Sequence, residues 1–199
     1  MFCKVCLLNV FFVDCEYTAA DIVFVLDSSG NVGKANFIKT KNFFNEMVEG
    51  FNIGSDRVRM GSVTYSTIVH DTFQLYEFTS KDTLQNRIGG IPYDSGGTNT
   101  HRALKYVRET SFRHSRSGVA KIVIVITDGK SNDKPKTVEE ASKLRNSGAI
   151  VFSIGVGDGV DRDELREMAS KSTYVFDVSS FDALRSIRES LTKTTCEGK

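Results

Sequence analysis

The sequence predicts one α/β domain in which a mostly parallel sheet lies between two layers of helices. Short runs rich in β-branched residues are apolar throughout, which is typical of central strands covered on both faces. Segments with the apolar spacing of amphipathic helices separate these runs. The chain has 199 residues, 40% hydrophobic and 26% charged, which suits a single folded domain with a substantial core. Strands alternating with helices therefore predict helices on both faces of the sheet.

The predicted strands are of two kinds. Three continuous apolar runs at 21–26, 121–126 and 149–154 predict central parallel strands, and a last strand is predicted at 173–178. Residues 57–75 have a different pattern, in which a second apolar run follows Tyr65 with too few residues in between for a crossover helix. This segment predicts an antiparallel hairpin at one edge, and six strands in all.

Amphipathic patterns place helices between the strands. Further helices are expected at 98–113 and 161–170, and we expect about six helices in the whole domain, of which five are located by these patterns. The residues with helical spacing form three groups: Phe37, Phe44, Met47, Val48 and Phe51; Val138, Ala141 and Leu144; and Phe181, Leu184, Ile187 and Leu191.

The first 14 residues are set apart from the domain, which we place at 15–199. The apolar stretch at 5–13 is far too short to span a membrane. Residues 1–14 are therefore interpreted either as a secretory signal peptide or as the remnant of a preceding segment. No other stretch predicts membrane insertion.

Cysteine occurs only near the two ends of the chain, at Cys3, Cys6, Cys15 and Cys196. A zinc site would need a second Cys or His pair beside Cys3 and Cys6, and none is near. A disulfide between the ends, such as Cys15 with Cys196, is the favoured reading and implies an oxidising compartment. The pairing of Cys3 and Cys6 stays open.

The net charge argues against nucleic acid as a partner, but one local cluster of basic residues has two possible roles. The 26 Lys and Arg residues against 25 Asp and Glu give a net charge of +1, so no global basic field attracts nucleic acid. A local basic run contains Arg108, Arg113, His114 and Arg116. It is either a contact for an anionic glycan or a solvated helix end with cations that suit the helix dipole.

Oxygen-bearing side chains follow two of the central strands. Asp27, Ser29 and Asn31 alternate after the first strand, and Asp128 follows the second. The segment 96–100, Gly-Gly-Thr-Asn-Thr, opens the helix before the Asp128 strand. In open α/β sheets the functional crevice lies beyond the carboxyl ends of such strands. A set of few carboxylates and several hydroxyls is typical of a Mg²⁺ site that keeps an open coordination position.

The sequences at 21–30, 96–100 and 124–129 resemble, in order and spacing, the von Willebrand factor type A domain, and the resemblance extends over about 21–193. It implies a Rossmann-like doubly wound sheet with one antiparallel edge strand and a metal-ion-dependent adhesion site (MIDAS). The implied ligands of Mg²⁺, or of Mn²⁺ or Ca²⁺, are Asp27, Ser29, Asn31, Thr98 and Asp128. Flanking cysteines that join the termini are common in extracellular members, which supports a Cys15–Cys196 disulfide.

One position departs from the family pattern, because Asn31 stands where the motif usually has Ser. An Asn carbonyl is a competent hard ligand, but it is bulkier than a hydroxyl and reaches the metal differently. The departure puts intact metal binding in doubt.

The resemblance implies a secreted adhesion or matrix module that captures a carboxylate of a protein partner, such as collagen or another matrix glycoprotein. Two alternatives remain: a metal-independent structural or self-associating module of a matrix protein, and an intracellular assembly subunit, against which the terminal cysteines argue. An enzyme is not expected. Ser28 and Ala35 occupy positions where a phosphate-binding loop needs Gly and Ser or Thr.

Overall fold

A six-stranded sheet forms the middle layer of the domain in the computed structural model, which describes residues 19–197. Its strand order is β3-β2-β1-β4-β5-β6, and only the β2–β3 pair is antiparallel. The predicted fold class and the edge hairpin are therefore confirmed. The strands are β1 (Ala20–Asp27), β2 (Val58–Tyr65), β3 (Val69–Phe73), β4 (Ala120–Thr127), β5 (Ala149–Val156) and β6 (Val175–Val178).

Helices cover both faces of this sheet. The α-helices are α1 (Gly33–Glu49), α2 (Lys81–Gly89), α3 (Thr100–Glu109), α4 (Lys134–Asn146), α5 (Arg162–Met168) and α6 (Arg188–Glu197). Short 3₁₀ helices lie at Ser111–His114, Ser172–Tyr174 and Phe181–Ile187. None of the helices within 19–197 is long and apolar enough to cross a membrane.

Three details of the helix prediction differ from the structure. Helix α2 was not predicted, because its nine residues bury only Leu84 and Ile88 and carry little apolar pattern. The helix expected at 98–113 ends at Glu109 and continues as a 3₁₀ turn. The last apolar pattern forms a 3₁₀ helix that passes into α6 at Arg188.

The core has two layers, one on each face of the sheet. On β1, Phe24 faces one layer and stacks on Phe44 of α1, with ring centroids 3.8 Å apart. The neighbouring Val25 faces the other layer, where it joins Leu104 of α3 and Leu144 of α4. Both faces of β1 are thus buried, which explains why this strand has no alternation of apolar and polar residues.

A buried carboxylate holds the amino-terminal edge of the sheet together. The Asp21 side chain is 0% exposed, and the Arg59 guanidinium donates to both of its oxygens at 2.9 and 2.8 Å. Arg116 adds a backbone bond of 2.6 Å and guanidinium bonds of 3.0 and 2.8 Å. Burial opposes ionisation of Asp21, but these bonds outweigh it and lower the pKa of this carboxyl.

The basic run seen in the sequence is largely committed to contacts within the domain. Arg116 pairs with Asp21, and Arg108 donates to Glu140 at 2.9 Å and to Glu109 at 3.0 Å. The His114 ring contacts the exposed Tyr76 edge to face. These contacts favour a role of the basic run within the domain over contact with an anionic glycan.

Two predictions concern residues beyond those that the structure describes. Cys3, Cys6 and Cys15 lie in the part before residue 19, and for Cys196 only the helical backbone of α6 is described. The Cys15–Cys196 disulfide and the status of residues 1–14 therefore stay predictions.

Candidate metal site

The carboxyl ends of β1 and β4 meet where the strand order reverses. From β1 the chain builds outward to β2 and β3, whereas β4, β5 and β6 extend the sheet on the other side. This reversal leaves a crevice between the loops that follow β1 and β4. The register pairs Leu26 with Ile126, so Asp27 and Thr127 come side by side at the mouth of the crevice.

Asp27 ends β1 and is only 2% exposed. Its Oδ1 accepts a hydrogen bond of 2.8 Å from the Ser29 backbone N–H, and its Oδ2 accepts one of 2.7 Å from the Thr127 hydroxyl. Burial raises the pKa of Asp27 although these bonds favour the charged form. Two strands thus fix the orientation of one buried carboxylate.

Asp128 follows Thr127 directly and brings a second carboxylate to the crevice. Its Oδ1 is buried, and within residues 19–197 it has no hydrogen-bond partner. Burial raises the pKa of Asp128 to about 6, and the nearby charge of Asp27 acts in the same direction. The buried hydroxyl oxygen of Ser29 also lacks a well-formed hydrogen bond to any described residue.

Thr98 is 4% exposed and lies on a segment bound to both neighbouring loops. Its carbonyl accepts a hydrogen bond of 2.8 Å from the Asn132 N–H in the loop after β4. Two residues earlier, the carbonyl of Gly96 accepts a bond of 2.9 Å from the Gly30 N–H in the loop after β1. A side chain is excluded at Gly96, because its φ is 141° and an added Cβ would stand 2.8 Å from Thr67 Oγ1.

Asn31 takes a different place from the other predicted ligands. It is exposed in the turn between β1 and α1, whereas Asp27 and Ser29 of the same loop are buried. It lines a cavity with Asp128, and its side-chain nitrogen lies 3.7 Å from the point where a Cβ on Gly129 would stand. Asn31 is therefore at the rim of the crevice.

Three residues that sequence reasoning did not assign support the site. The Thr127 hydroxyl holds Asp27, and the Tyr93 hydroxyl donates to the Ser29 carbonyl at 2.9 Å. Asn99 stands at the N-cap position of α3 without capping it. Its Nδ2 donates to the Thr67 carbonyl at 2.8 Å, and its Oδ1 accepts from Asn132 Nδ2 at 3.1 Å. Asn99 and Thr127 each adjoin a predicted ligand in sequence, Thr98 and Asp128, and Tyr93 lies five residues before Thr98.

The donor set decides which ions fit. Within residues 19–197, no group of three or more His, Cys, Asp or Glu residues lies close enough to form a metal cluster. The predicted donors around the crevice are instead two carboxylates, the hydroxyls of Ser29 and Thr98, and the Asn31 amide at its rim. These are hard oxygen ligands, too few to close a cage, so they fit a divalent ion that keeps waters and an open position.

Among known protein families, the model of the von Willebrand factor type A domain matches residues 21–190 of this chain. The mouse collagen alpha-4(VI) chain is 35% identical over 91% of this chain, which corresponds to 8% of that protein. Chicken matrilin-1 is 35% identical over 90% of this chain and 37% of its own length. The chain therefore spans well under half of these extracellular matrix relatives.

Solved structures agree with this match. Proximal thread matrix protein 1 from the mussel byssus, solved with a zinc-occupied MIDAS motif, superposes with a TM-score of 0.84 and is 35% identical. The match covers 92% of this chain and 47% of that one. The manganese-loaded TRAP protein of Plasmodium vivax is 20% identical and superposes with a TM-score of 0.73, over 87% of this chain and 73% of that one. At this identity the likeness supports the fold alone.

Proposed function

The chain belongs to the von Willebrand factor type A domain family, and from that premise we propose that it is a secreted, non-enzymatic adhesion module of the extracellular matrix. In this proposal the module captures a carboxylate of a protein partner through a divalent ion, of which Mg²⁺ is the first candidate. The ion is held by Asp27, Ser29, Asn31, Thr98 and Asp128.

One observation carries the proposal. Asp128 Oδ1 is buried without a hydrogen-bond partner among the described residues, and the buried Ser29 Oγ makes no well-formed hydrogen bond to any of them. A buried oxygen left unpaired costs about 1–3 kcal/mol, so such atoms call for a ligand. A cation satisfies both atoms and compensates the charge of both carboxylates.

The residues around the crevice have separate roles in this mechanism. Asp27, held by Thr127 and by the Ser29 N–H, supplies an anchored carboxylate, and Asp128 supplies the second. The hydroxyls of Ser29 and Thr98 add oxygen without adding charge. When bound, the divalent ion supplies a Lewis-acidic position that a partner's Asp or Glu can fill. Because the protein brings only two carboxylates, a divalent ion leaves the site without net negative charge, so the partner's carboxylate is not repelled.

The relatives bear on the class of partner. Collagen chains and matrilin-1 are matrix proteins, so we propose that this module binds collagen or another matrix glycoprotein. A metal-independent role in matrix assembly is the second candidate, favoured by the exposure of Asn31 at the rim of the crevice.

The test is binding to immobilised collagens and other matrix proteins in Mg²⁺, then in chelator, with Asp27→Ala beside the native chain. Asp56→Ala, at an exposed carboxylate by the amino-terminal end of β2, is the matched control. We expect chelator and Asp27→Ala to abolish binding and the control to retain it. Binding that ignores both chelator and Asp27→Ala would overturn the metal mechanism and favour the metal-independent candidate.

A further inference from the structure

A groove of about 500 Å³ lies between the first half of α1 and the loop that follows α2. It is called the α1 groove here, and its lining residues are Lys34, Phe37, Ile38, Lys41, Ile91, Pro92 and Tyr93. Tyr93 stands between this groove and the candidate metal site. Its ring packs against Phe37 with centroids 5.6 Å apart, and its hydroxyl donates to the Ser29 carbonyl. None of the lining residues is a predicted metal ligand, so the α1 groove is a separate surface.

The α1 groove has an apolar floor that continues to the surface. Phe37 and Ile91 are 1% and 2% exposed and form the floor. Ile38 is 46% exposed, and within residues 19–197 the other exposed large apolar side chains are those of Ile68 and Tyr76. A concave apolar surface with an exposed isoleucine at its edge suits an apolar side chain of a partner.

Both charged residues of the α1 groove are lysines, and no acidic residue lines it. The ammonium of Lys34 forms no ion pair or hydrogen bond with any residue in 19–197. Lys34 also lies in the first turn of α1, where the helix dipole is positive and no acidic residue offsets it. Lys41 donates to the carbonyls of Gly89 and Ile91 at 2.7 and 3.0 Å, which leaves one of its three N–H donors.

The neighbouring acidic side chains are engaged elsewhere. Asp94 follows Tyr93, but its carboxylate accepts a hydrogen bond from the Ser66 hydroxyl and lies 3.2 Å from His70 Nε2. Asp182 pairs with Lys39 at 2.7 Å, outside the α1 groove. The two lysines of the groove therefore keep their positive charge, and an occupant with negative charge complements them.

We propose that the α1 groove binds an extended segment of a partner protein in which an apolar residue stands between two acidic ones, in the pattern Glu-x-Leu-x-Glu. Lys34, Ile38 and Lys41 lie on one face of α1, and the two lysines are about 10 Å apart along the helix axis. In an extended segment, alternate residues point to the same side, and the first and fifth are about 13 Å apart. The free side chain of Lys34 covers the difference. This inference goes beyond the proposed function, because no metal takes part.

The test uses three capped peptides and the native chain in metal-free buffer, with binding followed by NMR titration. The peptides are Glu-Ala-Leu-Ala-Glu, its neutral counterpart Gln-Ala-Leu-Ala-Gln, and Glu-Ala-Ala-Ala-Glu, which lacks the leucine. We expect the first to bind about tenfold more tightly than the second, as suits two exposed ion pairs. It should also bind about tenfold more tightly than the third, because a leucine side chain is partly buried. The backbone amides that shift should be those of residues 34–41 and 89–93.

Variants assign the binding to the α1 groove. Ile38→Ser should weaken the first peptide about fivefold, whereas Ile68→Ser, the same change at an exposed isoleucine of the edge hairpin, should not. Lys34→Gln should weaken it about threefold, and Lys105→Gln, at an exposed lysine of α3, is the matched control. All four positions are exposed, so thermal unfolding should show that each variant is folded.

The outcomes separate this inference from the proposed function. The α1 groove proposal is overturned by absence of peptide binding, by equal affinity for the acidic and neutral peptides, or by groove variants that bind as their controls do. Self-association of the native chain that Ile38→Ser abolishes would assign the groove to a second copy and would also overturn it. Each of these results is obtained without metal, so none of them bears on Mg²⁺ binding at the crevice.

Discussion

Thr127 Oγ1 donates a hydrogen bond of 2.7 Å to Asp27 Oδ2, so the last residue of β4 holds the carboxylate at the end of β1. Asp27 is at the same time 2% exposed, which makes its position depend on bonds within the domain rather than on water. The geometry of the candidate metal site is therefore set by the pairing of two central strands.

The first prediction removes this bond. Thr127→Val keeps the shape of the side chain but leaves Asp27 Oδ2 without the hydroxyl. We expect the free energy of unfolding to fall by about 1–2 kcal/mol and Mg²⁺ affinity to fall about fivefold. Chemical denaturation and calorimetry measure the two effects, and Thr127→Ser should restore both. Undiminished Mg²⁺ affinity in the valine variant would show that Asp27 needs no such support.

The second prediction concerns the contact between Asn99 and Asn132, whose side chains join at 3.1 Å beside Thr98. Because the Asn132 N–H also holds the Thr98 carbonyl, loss of the Asn99 side chain should loosen Thr98. Asn99→Ala is expected to weaken Mg²⁺ binding about threefold to tenfold, as for loss of one or two modest hydrogen bonds. Asn86→Ala, at an exposed position of α2, is the control. Equal affinities in the two variants would remove Asn99 from the site.

The sequence was sufficient for the two carboxylates but not for what orients them. Asp27 and Asp128 follow continuous apolar runs, so their place at the carboxyl edge could be predicted from strand pattern alone. The partnership of Thr127 with Asp27 depends on the register that pairs Leu26 with Ile126, which no local pattern encodes. Asn99 would ordinarily be read as a helix cap, yet its side chain contacts the hairpin and the loop after β4.

The third prediction concerns the opposite edge of the sheet. Asp21→Asn leaves Arg59 and Arg116 beside a buried neutral amide, so we expect a loss of about 3 kcal/mol in the free energy of unfolding at pH 7. Metal affinity should not change, since Asp21 lies at the far end of β1 from Asp27. Denaturant unfolding measures the effect. A variant as stable as the native chain would mean that the arginines find other partners.

A dependence on pH follows from the same carboxyl. The pKa of Asp21 is lowered in the folded state, so the unfolded chain binds the proton more readily. Its contribution is therefore fully present above the ordinary Asp pKa of about 4 and is lost as pH falls through the folded pKa. The difference in unfolding free energy between the native chain and Asp21→Asn should shrink below about pH 4. A difference that stayed constant down to about pH 2 would contradict the assignment.

The last prediction tests whether Asn31 binds the metal from its exposed place at the rim. If its carbonyl oxygen is a ligand, Asn31→Ala should weaken Mg²⁺ binding about tenfold, and Asn31→Ser should retain it, because a hydroxyl is also a hard donor. Asn36→Ala is the matched control, since Asn36 lines the same cavity from the first turn of α1. Calorimetric titration with Mg²⁺ distinguishes the variants. If Asn31→Ala and Asn36→Ala both bind as the native chain does, the ion is held by the buried residues alone, and the exposed amide serves only the surface that meets the partner.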